Sequence, residues 1–415
     1  MLRKVLLLLL VALFVSSSVL IAEELILWDQ KQSTEKIVKM FNEKMAEEGK
    51  DIQVKLELIP YDQMVPKFMA SLSTGRAPDL YGLDIVQFPY FISIGAFTDI
   101  TEWAKNLPFF EELPEGMTKV GMKDDRIFAL PYQIDLSTML YNKDMFEEAG
   151  LDPEQPPETW YELVKIGQKL TVDKDGDGII DQWGFNLAGG GAGAYMFWFM
   201  PFVWGNGGNM FDDDGNVVLD SYETVQALEF WHDLIHKYKI APESSVQYGS
   251  GDRYNAFVSG KLAIYLGGNF NITSLRKDAP DMEFGVTPIP KNRDGFATFG
   301  GGSLLGITSQ CENVDAAKTF MEFVYSEKAQ IEAYGPNLQL LARPSLYDNK
   351  YYNEIEQMDS FAEILGYALT PYSLNYNEIY DPVQYYFESV FLDKMDAETA
   401  VEKCTEEIKE IMNKK

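Results

Sequence analysis

The chain has 415 residues, 46% of them hydrophobic, which is enough for two compact domains because single cores seldom grow past roughly 250–300 residues. Its 64 Asp and Glu against 35 Lys and Arg give a formal charge of −29, which argues against nucleic acid and anionic membrane surfaces as partners. Only Cys311 and Cys404 occur, so there is no disulfide framework and no thiol metal cluster, and whether the two pair is left open.

Arg3 and Lys4, then an apolar run from Val5 to Val15, then small residues read as an export signal over 1–22. Ser16 with Ser18 offers one cleavage site and Ala22 another. An uncleaved anchor is the alternative, disfavoured because the run to Ile21 is short and broken by three serines. No cysteine follows the run, so the expected product is a free periplasmic or extracellular protein without a lipid-attachment residue.

Leu25–Trp28 predicts a buried strand. Ile37, Met40, Phe41 and Met45 then predict a helix with Ser33 as its cap, and Ile52, Val54, Leu56 and Leu58 alternate as a second strand up to Pro60. Further strands are expected at Leu80–Leu83, Ile127–Leu130 and Thr138–Tyr141. Thr159 and Glu162 behind Pro156 and Pro157 form a capping box, and Trp160, Leu163, Val164 and Leu170 are the buried stripe of its helix. This alternation predicts an α/β architecture with mostly parallel sheets, and the absence of a low-complexity linker predicts lobes joined by several crossings.

Asp173, Asp175 and Asp177 occupy positions 1, 3 and 5 of a calcium loop, with Gly178 at the turn, the Ile179 carbonyl at 7 and Asp181 at 9. Position 12, usually Glu, is Gly184. A structural calcium and an Asx-rich turn without metal both remain open, and no other cofactor is expected.

Gly189, Gly191 and Ala194 fit a degenerate dinucleotide fingerprint in the wrong context, since no first strand precedes them. They read instead as a loop presenting Tyr195, Phe197, Trp198 and Phe199. The only histidines, His232 and His236, fall four apart, as metal-binding pairs do, but their amphipathic segment reads as a surface helix. No nucleophile elbow or phosphate loop is present. A catalytic carboxylate pair stays possible, because spatial separation decides it, so a glycoside hydrolase is kept as an alternative.

Trp28, Tyr195, Trp198, Trp204, Phe270, Tyr372, Tyr376 and Tyr380 cluster beside Gly, Asn or Asp in predicted loops rather than inside periodic segments. Sugar sites pair flat rings with polar side chains that fix hydroxyls, whereas core packing explains any single ring equally well.

Several blocks carry a wider resemblance: Pro78 to Ile100, Ala129-Leu130-Pro131-Tyr132 through Asp144 with Thr159-Trp160, Phe257 to Gly268, and Gly300-Gly301-Gly302 with Ala316-Ala317. From about Leu25 onward the sequence resembles the extracellular solute-binding proteins of ABC importers, the family that includes maltose-binding protein. The resemblance implies a two-lobe Venus-flytrap fold with crossings near 131–136, 284–289 and 338–343. It places 23–132 and 287–340 in one lobe, and 133–286 and 341–415 in the other. It also implies a non-catalytic, monomeric receptor that closes on a carbohydrate and delivers it to the importer's permease subunits. A non-sugar solute such as a polyol, polyamine or peptide is the alternative.

By position, the resemblance makes Asp29, Gln30, Asp84, Gln133 and Asp135 hydroxyl-binding residues and puts Tyr195, Trp198 and Trp204 in an aromatic loop. Phe270 stands where relatives commonly carry Trp, Arg343 lies near the third crossing, and Tyr380 near a late sugar-contacting aromatic. Asn269 and Gly301 complete the expected ligand set, and Trp28, Asp84, Asp135 and Trp204 are expected to face one cleft.

Overall fold

The computed structural model of the chain describes residues 23–190, 193–212, 215–293 and 295–413, so the export segment expected over 1–22 and Gly191 of the glycine run lie outside the described residues. No helix among the described residues is long and apolar enough to cross a membrane.

Strand β1 (Glu23–Asp29) buries Leu25 and Leu27, and helix α1 (Ser33–Glu47) returns over it with Ile37, Phe41 and Met45 turned inward. Ser33 does not cap that helix; its hydroxyl accepts a hydrogen bond from Gln133 Nε2 at 2.8 Å. The entry is held instead by Asp29, which accepts from the amides of Gln30 and Lys31 and from the Thr34 hydroxyl. β2 (Ile52–Leu58) pairs parallel with β1 at the sheet edge, where Val54 is buried and Leu58 exposed. Helix α2 (Tyr61–Ser73) leads to β3 (Leu80–Asp84), parallel to β1 on its other side.

The two strands expected within 127–141 are one, β4 (Ala129–Asn142). Pro131 is tolerated because the ladder shifts register between it and Gln133, a bulge that spares the missing amide. Helix α3 (Trp160–Leu170) carries the capping box read from the sequence: Thr159 Oγ1 accepts from the Glu162 amide, and Glu162 accepts from the Thr159 amide at 3.0 Å. Helices α4 (Tyr222–His236) and α5 (Ser250–Val258) follow, then β5 (Ile264–Gly268), β6 (Phe284–Thr287) and the return strand β7 (Thr298–Ile307). The remaining labelled elements are α6 (Val314–Val324), α7 (Glu327–Tyr334), β8 (Ala368–Leu369), α8 (Tyr380–Phe391) and α9 (Ala397–Asn413).

The strand order is β2-β1-β3-β7-β4-β5, with β6 also on β4 and β8 on β7. The sheet is mixed rather than mostly parallel. Only β1 with β2, β1 with β3 and β7 with β8 run parallel, because the return strand β7 runs against both β3 and β4. β4 belongs to two ladders. Ala129–Leu136 pairs with β7 in the first lobe, and Ser137–Asn142 pairs with β5 and β6 in the second.

Beyond the expected crossings at 284–289 and 338–343 the chain keeps its earlier contacts for some way. Thr287 still pairs with Met139, Trp160 still bonds the carbonyls of Pro290 and Lys291, and Asn292 still bonds Gly205. Farther on, Arg343 is tied to Glu112 and Lys350 to Glu332 in the first lobe, and only at Glu356 and Gln357 does the chain reach Lys143 and Phe284.

Candidate functional site

Between the two lobes lies a cleft of about 360 Å³. The end of β3 supplies Asp84, the midpoint of β4 supplies Asp135, and β7 supplies Phe299, Gly301 and Gly302. Tyr61 opens α2 at one wall. Opposite stand Phe197, Trp198, Ser250, Phe270, Tyr376 and Tyr380. A neighbouring cavity shares Tyr61 and Tyr380 and reaches Gln87 and Asn377, and another on the far side shares Asp135 and Phe270. The three cavities adjoin one another through these shared residues.

Asp84 ends its strand where the chain must turn, and its Oδ1 accepts from the Val86 amide at 3.3 Å. Its pKa is raised to about 6, chiefly by burial and also by Asp135, against the Val86 amide, Lys31 and Tyr61, which draw it down. Lys31 Nζ lies 3.7 Å from Asp135 Oδ2. Burial beside Asp84 pushes Tyr61 up to about 12 and Tyr380 higher still, so both hydroxyls stay protonated and can donate. The polar equipment is therefore two carboxylates, one already facing an ammonium, and a set of tyrosine hydroxyls.

The aromatic wall begins with a π-helical segment, Tyr195–Phe199, a wound turn that aims two successive rings, Phe197 and Trp198, into the cleft. The Arg253 guanidinium backs Trp198 at 3.9 Å from the ring centroid. Arg253 is fully buried: Nη2 reaches Ser250 Oγ at 3.4 Å, while Nε and Nη1 meet no acceptor among the described residues. Burial lowers its pKa to about 10. Phe197 packs on Phe299 and Phe270, and a Cβ at Gly301 would come within 3.2 Å of its ring. Gly302, at φ +108, lies so close to β4 that a Cβ would strike the Gln133 carbonyl at 2.1 Å.

A family model described as bacterial extracellular solute-binding protein matches residues 29–331. The chain belongs to that family. It is 26% identical over 320 residues to an arabinooligosaccharide-binding protein of Halalkalibacterium halodurans, covering 74% of this chain and 68% of the relative. Its fold superposes with a TM-score of 0.75 on an ABC transporter solute-binding protein of Thermotoga lettingae bound with alpha-D-tagatose, at 25% identity and covering 94% and 100% of the two chains. A cyclic alpha-maltosyl-1,6-maltose binding protein of Arthrobacter globiformis shares the fold at 0.79, with 22% identity and 94% and 99% coverage.

In this solute-binding protein the cleft gathers Asp84, Asp135, Trp198, Phe270, Gly301 and Tyr380 of the expected set. Of the others, Asn269 lines the neighbouring cavity beside Asp135 and Phe270, and the rest lie elsewhere. Trp28 is buried on β1 with Lys67 Nζ 4.1 Å over its ring. Asp29 is fully buried, bonded to Tyr132 and to the entry of α1, and burial raises its pKa. Gln30 keeps its side-chain oxygen buried without a partner among the described residues, and Gln133 is spent on Ser33. Tyr195 packs inward on Trp231, Phe387 and Phe391. Trp204 donates to Asn209 and lies behind Phe299, so it supports the wall rather than facing the cleft. Asn269 clips the hinge, accepting from the Leu136 amide and donating to the Ile134 carbonyl. Arg343 forms a bidentate pair with Glu112, remote from the cleft.

Sequence reasoning placed Phe197 in the ring-presenting loop but missed the roles of Tyr61, Ser250, Phe299 and Arg253. Phe299 precedes the glycine run that carried the resemblance, and that adjacency is the one signal that pointed to it.

In the acidic loop, Asp173 accepts from the amides of Gly176 and Gly178, Asp175 from Asp177, Asp177 from Ile179, and Asp181 from Lys174. Oxygens of Asp173, Asp175 and Asp177 still lie within 4.8 Å of one another, a spacing that fits a hard cation.

Proposed function

We propose that this protein is the carbohydrate receptor of an ABC importer, closing its lobes on a saccharide without altering it. The observation that carries the reading is the shared cleft: Asp84 and Asp135 stand across from Phe197, Trp198 and Phe270. Rings cover the C–H faces of a sugar, and carboxylates accept charge-assisted bonds from its hydroxyls. The cavities adjoining the central cleft favour a saccharide of more than one ring over a single one.

A polyamine fits less well. The Lys31 ammonium already faces Asp135 in the cleft, so a polycation would meet a like charge there. Catalysis is not part of the proposal: Asp84 and Asp135 are both committed to one binding wall, and the family is one of binding proteins.

The rest of the reading is an exported, monomeric protein that docks on permease subunits in its closed form. Its lobes divide near 136, between 293 and 298, and at about 355. The acidic loop holds a structural calcium through Asp173, Asp175, Asp177, Ile179 and Asp181.

The test is a thermal-shift panel of oligosaccharides, polyols, polyamines and peptides. Ligand stabilises by RT ln(1 + [L]/Kd), so one class of oligosaccharide should raise the melting temperature by several degrees. Stabilisation by peptides or polyamines alone overturns the sugar claim. Consumption of the glycan during incubation overturns the non-catalytic one.

A further inference from the structure

The only two histidines of the chain lie one helical turn apart on α4, and the fold brings Asp393 onto both from the corner between α8 and α9. His232 Nε2 is 2.8 Å from Asp393 Oδ1, and His236 Nδ1 is 3.5 Å from Asp393 Oδ2. The imidazole rings lie 4.3 Å apart, centroid to centroid. All three ligand atoms fall within 4.8 Å of one another, against a spacing of about 3.3 Å for tetrahedral ligands on zinc.

The far side of the cluster is also fixed. His236 Nε2 is 2.9 Å from the Phe391 carbonyl, which can only accept, so that nitrogen donates and Nδ1 is the ring atom turned towards Asp393. A carbonyl holding the far N–H of a histidine is also the usual partner of a metal-bound imidazole, since it fixes the tautomer.

We propose that His232, His236 and Asp393 form a binding site for a divalent transition metal of the zinc type, distinct from both the cleft and the acidic loop. Two imidazoles and one carboxylate suit zinc, copper or nickel better than calcium or magnesium, which prefer all-oxygen sets. The three groups leave a fourth position to water. The ion bridges residues 161 apart in sequence, joining α4 to the α8–α9 corner. Phe391, whose carbonyl orients His236, packs its ring on Trp231, Tyr195 and Phe199, so the ion clamps the aromatic core behind the π-helical segment.

The experiment uses metal-stripped full-length protein with excess calcium present to saturate oxygen-only sites. Zinc chloride titrated by calorimetry should bind with one-to-one stoichiometry and raise the melting temperature by several degrees. His236→Ala and Asp393→Asn should each weaken zinc binding at least tenfold. Asp393 sits at φ +55, a region Asn tolerates well, so the second variant keeps the fold, and unchanged sugar binding verifies it. Absence of zinc binding to the wild type overturns the proposal, as does wild-type zinc affinity in Asp393→Asn.

Discussion

Gln87 and Asn377 exchange two side-chain amide hydrogen bonds, at 2.8 and 3.1 Å, across the cavity beside the cleft. Gln87 follows β3 in the first lobe, and Asn377 precedes α8 in the second. The pair is exposed, so each bond contributes at the low end of the usual range, about 0.5–1 kcal/mol. It can exist only while the walls are together, so it favours closure independently of ligand. Gln87→Ala and Asn377→Ala should each weaken saccharide affinity about 2- to 10-fold by calorimetry, with the melting temperature of the free protein little changed. Unchanged affinity in both variants refutes the latch.

Asp84 gives the affinity a pH dependence. Its folded pKa of about 6 lies above the ordinary 3.8, because burial and Asp135 penalise the charged form. The folded state therefore holds a proton that the unfolded state has lost between these values. Stability from this group is greatest below 3.8 and falls as pH rises towards 6, by at most about 1.4 kcal/mol per pH unit. Binding runs the other way, since the carboxylate is the better acceptor and is lost as pH drops through about 6. Asp84→Asn should stabilise the free protein at pH 7.5, weaken saccharide binding there, and flatten the pH profile of affinity between 5 and 7.

Trp198→Ala should lower affinity more than any other single change in the aromatic wall, because it removes a ring facing the cleft. Arg253→Met is the sharper test. It removes the cation behind the ring, at about 0.5–2 kcal/mol, together with two donors that have no acceptor among the described residues. Affinity should fall a few-fold while the melting temperature holds or rises. A loss of stability with unchanged affinity would place Arg253 in the scaffold alone.

Arg343 and Trp28 should behave in the opposite way to the residues of the cleft wall. Arg343→Ala leaves Glu112 without its bidentate partner, and Trp28→Ala empties a buried site on β1. Both should lower the melting temperature, with Trp28→Ala costing about 3–5 kcal/mol, and neither should change affinity more than twofold. Calorimetry on the folded fraction decides it.

Calcium should raise the melting temperature of chelator-treated protein, and Asp173→Asn with Asp177→Asn should abolish the rise. These carboxylates already accept backbone amides, so the loop is formed before the ion arrives and the gain should be a few degrees, not rescue of an unfolded chain.

The capping box at Thr159 was legible because it is written in four consecutive residues, and β1 was legible from its apolar run. Asp84 and Asp135 were legible because one ends a strand and the other sits within a crossing that the resemblance marked. Trp28 and Trp204 misled because aromaticity beside polar residues does not tell which side of a strand or turn the ring takes. β1 is covered on both faces, so even alternation gave no guide. Tyr61 and Tyr376 could not be paired from sequence at all, since more than three hundred positions separate two rings that share one cleft.

Because β4 is bonded to one lobe through Leu136 and to the other from Ser137, closure of the proposed receptor should be torsion within a single strand rather than the swing of a tether. On that reading the strand acts as a torsion spring: lengthening the loops of the other two crossings should leave the travel nearly unchanged, whereas stiffening residues 134 to 138 should shorten it. A protease that nicks either outer crossing should leave both halves associated.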